Sequence, residues 1–94
     1  MELLSRLSAF YSKAHADCRL SPVHLSLYFA LLHGAANTVD EPLHLKRDLI
    51  MCKAKISSRV TYHKVIRELH QYGYIDYATG NMPGGSSVKM IDLL

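Results

Sequence analysis

The chain has 94 residues, enough for one small domain with a modest core. Hydrophobic residues make up 49% and charged residues 20%, a globular balance that excludes a disordered polyelectrolyte. Net charge is only +3, so where the charge lies says more than its sum. Two cysteines, Cys18 and Cys52, are too few for a disulfide framework. Met1-Glu2-Leu3-Leu4 carries no basic leader, and no apolar run reaches the about 18 residues of a membrane span. A reduced, cytoplasmic protein with no membrane partner is expected. No internal repeat or low-complexity tract is present.

Residues 2–16 place Leu3, Leu4, Leu7, Phe10, Tyr11 and Ala14 at intervals of mostly three and four, which predicts an amphipathic helix. Ser21-Pro22 is a helix start, a capping hydroxyl followed by proline at the first helical position. The helix that follows, over residues 22–36, is apolar in nearly every direction. It must be buried on more than one side, by its own chain or by a second copy. Residues 37–42 are turn-like, and Leu43-His44-Leu45 reads as a very short strand. Residues 46–52 predict a short helix with Leu49, Ile50 and Cys52 inward, and Lys53-Ala54-Lys55-Ile56 the turn after it.

Ser57 or Ser58 is expected to cap the next helix, which runs to Tyr72. Gly73 supplies the left-handed position that ends it. Tyr62, Val65, Ile66, Leu69 and Tyr72 share one face; Val60, Lys64, Arg67 and Gln71 lie opposite, with His63 beside them. Tyr74-Ile75-Asp76-Tyr77 and residues 88–93 predict two strands of a hairpin. Its tip is the glycine-rich segment of residues 81–87.

Residues 46–72 hold seven basic and two acidic side chains, net +5, against −2 for the rest of the chain. A basic face on two successive helices points to a phosphate backbone, with double-stranded DNA the expected partner. The first two turns of a helix in the major groove reach base edges. Here they carry Ser57, Ser58, Arg59, Val60 and His63. Arginine pairs bidentately with guanine, and an apolar Val60 on a solvent face suits a thymine methyl. Lys53, Lys55, Lys64 and Arg67 are placed for phosphates, which fix register without reading sequence. In the hairpin, Ser86, Ser87 and the backbone of Gly84 and Gly85 are candidates for a neighbouring groove, with Lys89 nearby. A merely solvated basic face is the plainer account of the same residues.

The pattern Ser57-Ser58-x-x-Thr61-Tyr62-x-x-x-Ile66-x-x-Leu69-x-x-x-Gly73-Tyr74-Ile75 resembles the junction from helix-turn-helix to wing in bacterial winged-helix DNA-binding domains. The likeness extends over residues 21–93, and the Pro-Gly-Gly-Ser tip is similar to that of small regulators encoded with mobile elements. It implies a mainly α fold with a small β-hairpin wing (α+β). It implies a single domain over residues 1–94 with three core helices and an extra N-terminal helix: residues 1–20 hold that N-terminal helix, 46–73 the helix-turn-helix and 74–94 the wing. It implies a transcriptional or mobile-element regulator. The alternative is a protein-interaction or replication-initiator assembly module on the same scaffold.

Other chemistry is thin. His15 and Cys18 lie three apart, but zinc needs four ligands at coherent spacing. No nucleophile elbow and no phosphate-binding glycine loop is present, so no enzyme activity, cofactor, metal or small-molecule ligand is expected. The first two long helices carry more apolar surface than one small core needs. Leu3, Leu7, Phe10, Leu31 and Leu32 are therefore expected to form a two-fold homodimer interface. The alternative is that the first helix lids its own core.

Overall fold

The computed structural model describes residues 2–35, 43, 44, 46–79, 86–91 and 93, with the side chains of Glu2, Leu3, Ala35, Leu43 and His44 left aside. In chain order the elements are α1 (Glu2–His15), α2 (Pro22–Ala35), β1 (Leu43–His44), α3 (Arg47–Ala54), α4 (Arg59–Gln71), β2 (Ile75–Ala78) and β3 (Ser87–Met90). The strands form an antiparallel sheet in the order β1-β3-β2. Leu43 pairs with Val88, and Tyr77 faces Val88 from the other side. The class is mainly α with a small sheet, as the sequence predicts.

The apolar helix α2 is the centre, packed against α3, α4, β1 and β3. Leu27, Tyr28, Ala30, Leu31 and Leu32 are buried along it. α1 docks through Phe10, which is 0% exposed and stacks on Tyr28 with ring centroids 3.7 Å apart. Tyr74 and Phe29 meet the same Phe10 ring edge-on at 5.5 and 5.6 Å. Offset and edge-on aromatic pairs of this kind add about 0.5–1.5 kcal/mol each beyond area burial.

This corrects the expected dimer surface: Phe10, Leu31 and Leu32 are buried in the chain's own core. Their apolar surplus is consumed by α1 closing over α2. Leu7 is half-buried against that core, and the Leu3 side chain lies outside the described residues.

The two helices of the basic segment end alike. At the end of α3 the Lys55 amide donates to the Cys52 carbonyl at 3.2 Å, and the Ile56 amide to Met51 at 2.9 Å. At the end of α4 the Gly73 amide donates to His70 at 3.2 Å, and Tyr74 to Leu69 at 3.0 Å. Both are Schellman motifs, and the apolar residue after each turn, Ile56 or Tyr74, is buried. Gly73 takes the left-handed conformation at φ 88°; Lys55 takes it at 61° without being glycine.

Several boundaries shift as a result. α3 runs two residues further than predicted, so Lys53 and Ala54 are helical and the turn is residues 55–58. Ile50, Met51 and Ala54 face inward, whereas Leu49 and Cys52 are exposed, contrary to expectation. The first hairpin strand is shifted by one residue, to Ile75–Ala78, and the second is shorter, at Ser87–Met90.

Candidate nucleic-acid interface

Ser58, not Ser57, caps α4: its Oγ accepts the Thr61 amide at 3.3 Å. From that cap the helix buries Tyr62, Val65, Ile66 and Leu69. The 3.6-residue repeat then turns Arg59, Val60, Lys64, Arg67 and Gln71 to solvent, with His63 half-exposed. Val60 is 79% exposed, an apolar side chain on the open face of a basic helix. Val60, His63, Lys64, Arg67, Glu68 and Gln71 line one shallow depression along it.

Ser57, Ser58, Lys53 and Lys55 are exposed at the start of this face or just before it. A second depression runs beside the turn, between Pro22, Val23 and Ser26 of α2 and the segment from Ala54 to Ser58. The Ser26 hydroxyl crosses from α2 to donate to the Ala54 carbonyl at the end of α3. That bond and the Schellman motif fix the step from α3 to α4.

In the hairpin, Lys89 is exposed on β3 opposite Asp76. Ser86 and Ser87 are half-buried, and the Tyr77 hydroxyl contacts Ser86 Oγ at 3.5 Å. Gly84 and Gly85 lie outside the described residues. The Tyr77 amide donates to His70 Nδ1 at 3.1 Å, tying β2 back to the end of α4.

Glu68 is the acid on the basic helix, and it is held. His24 on α2, only 6% exposed, lies with Nε2 3.0 Å from Glu68 Oε1. The Tyr72 hydroxyl donates to Oε2 at 3.3 Å. The other ring nitrogen, His24 Nδ1, accepts the Ser21 amide at 3.0 Å and contacts Ser21 Oγ at 2.8 Å. A backbone amide only donates, so Nδ1 is the acceptor and the neutral ring carries its proton on Nε2, toward Glu68. Serine, histidine and glutamate in a row have the connectivity of a catalytic relay. The three-residue spacing and the shared amide are instead those of a capping box with histidine in the third position.

A further cluster fastens the loop after α1 to the α4–β2 junction. The Arg19 side chain binds Asp17 at 2.8 Å and lies 4.0 Å over the Tyr72 ring. The Tyr74 hydroxyl donates to Asp17 at 2.9 Å, and Lys13 Nζ sits 4.5 Å over the Tyr74 ring. The Arg19 guanidinium, opposed by desolvation and helped by the Arg19 amide and Tyr74, holds the Asp17 carboxyl well below the usual range. Desolvation first, and then Asp17, push Tyr74 up to about 12.

Sequence reasoning missed both clusters. Their local signals are the Asp17-x-Arg19, Ser21-x-x-His24 and Glu68–Tyr72 spacings; the contacts that join the elements, His24 to Glu68 and Tyr74 to Asp17, span 44 and 57 residues. Among the described residues no group of three or more His, Cys, Asp or Glu side chains is arranged to hold a metal ion, and no helix is long and apolar enough to cross a membrane. No protein-family model, curated protein or solved structure matches this chain.

Proposed function

We propose that this chain is a winged helix-turn-helix protein that binds double-stranded DNA, with α3 and α4 as the helix pair, α4 in the major groove and the β2–β3 hairpin as the wing. The observation that carries the reading is the outer face of α4. It is basic, uncovered among the described residues, and bears an almost fully exposed valine in its first turn. A solvated structural face gains nothing from Val60, whereas a thymine methyl does. Arg59 is assigned to base edges, and Lys53, Lys55, Lys64 and Arg67 to phosphates. The pinned Glu68 supports the same reading, since its carboxylate is already satisfied within the protein. A transcriptional or mobile-element regulator is the role that fits such an activity.

The test is selection of bound duplexes from a random pool, followed by titration of the enriched sequence at several salt concentrations. An enriched motif, with affinity falling steeply as salt rises, is expected. Recovery of no motif, together with no affinity for any duplex at low salt, overturns the proposal.

A further inference from the structure

Two neutral donors, Nε2–H of His24 and the Tyr72 hydroxyl, satisfy Glu68 without cancelling its charge. The Glu68 side chain is 25% exposed and lines the same depression as Lys64 and Arg67. It is therefore the acid that a phosphate backbone along α4 would meet. The far side of the imidazole is built differently. Nδ1 accepts the Ser21 amide at 3.0 Å, yet Ser21 Oγ lies 2.8 Å from the same nitrogen. A hydroxyl both donates and accepts. A proton arriving at Nδ1 thus finds its acceptor already in place. The ring gives up the Ser21 amide, donates to Ser21 Oγ and keeps its bond to Glu68.

We propose that duplex DNA and a proton bind this chain together. A proton taken from solvent by His24 Nδ1 turns the His24–Glu68 pair from negative to neutral, and so removes the repulsion between Glu68 and the phosphates. The inference rests on the reading of α4 as a DNA-binding helix. By linkage, DNA favours the protonated pair by the same factor as the proton favours DNA. The groups around the pair are few. On α4, His63, Lys64 and Arg67 share the depression with Glu68. Beyond the Tyr72 ring, Arg19 is bound to Asp17, and their charges offset each other. On α1, Lys13 lies over Tyr74, and Arg6 acts on Tyr28, one turn along α2 from His24. Toward α2, α3 and β3 bring the apolar Ile50, Met51, Ala54 and Val88. His24 is the one buried polar or charged side chain among the described residues.

Calorimetric titration of the whole chain with duplex DNA at low salt, in buffers of different ionisation enthalpy, counts the protons taken up on binding near neutral pH. Net uptake is expected. Affinity at fixed salt is expected to rise about five- to tenfold from about pH 8 to about pH 6. Glu68→Gln keeps both hydrogen bonds, its oxygen accepting Nε2–H and its amide donating to the Tyr72 hydroxyl. At the higher pH it is expected to bind as tightly as the wild type does at the lower, and to take up fewer protons. Nitrogen magnetic resonance places the proton: His24 Nδ1 is expected to move toward its protonated position when DNA is added. Binding without proton uptake overturns the inference and leaves the DNA reading standing. So does uptake that Glu68→Gln leaves unchanged, or that appears at His63 with His24 unmoved. Binding to no duplex at any pH overturns both.

Discussion

Lys55 sits in a conformation that costs a residue with a Cβ about 1–2 kcal/mol. Glycine avoids that cost but loses more entropy on folding. Lys55→Gly is therefore expected to stabilise the chain by up to about 1 kcal/mol in urea unfolding. If Lys55 also meets a phosphate, the same variant loses about one unit of salt slope. A midpoint that does not rise would show that the turn carries no strain. Arg59 and Lys64 are separable by the form of their loss. Arg59→Ala is expected to cost about 1–3 kcal/mol of binding and to relax base preference at one position. Lys64→Ala is expected to weaken all duplexes alike and lower the salt slope by about one. A double alanine variant that titrates like the wild type in a mobility shift excludes this face.

At the level of elements, the Phe10 ring anchors α1 and the Asp17 carboxylate anchors the loop that follows it. Phe10→Ala removes a fully buried side chain from a three-ring contact, and about 3–5 kcal/mol of stability is expected to go with it. Chemical denaturation measures it. Asp17 provides a pH signature with a definite sign. Its carboxyl is depressed in the folded chain, so its contribution is complete above the ordinary carboxylate range and is lost as pH falls below about 4. Asp17→Asn is expected to be less stable than wild type at neutral pH, with the two curves converging as the solution is made acid. Parallel curves across the whole range would mean that the Arg19 and Tyr74 bonds add nothing. The sequence announces neither dependence, because Asp17 and Tyr74 are 57 residues apart.

Over the whole molecule, what was legible follows from how local each signal is. The Ser21-Pro22 start, the buried and open faces of α4 and the Gly73 ending are all set by neighbours within one or two turns, and they stand where the sequence puts them. The end of α3 was not legible, because a lysine holds the place a glycine would have marked. In so short a helix, two turns do not fix the phase well enough to separate Leu49 and Cys52 from Ile50 and Met51. The surplus of apolar surface on α1 and α2 was visible, but not its destination. Only the three-dimensional path shows that Phe10 lies under α1, whereas Leu4 and Tyr11 lie outside it. Of the candidate interface, the residues on α4 were readable as a face; the histidine and tyrosine that occupy Glu68 were not.

The twin helix endings have a consequence for redesign. The orientation of α4 is fixed at both ends by main-chain hydrogen bonds and buried neighbours, none of which involves the side chains at positions 59, 60, 64 or 67, whereas the His63 ring packs edge-on against buried Tyr62. Positions 59, 60, 64 and 67 are thus a replaceable lettering on a fixed plate. Substitutions there, glycine and proline apart, are expected to shift folding stability by no more than about 0.5 kcal/mol each. A combinatorial library over them should yield variants that differ in what they bind and hardly at all in how well they fold.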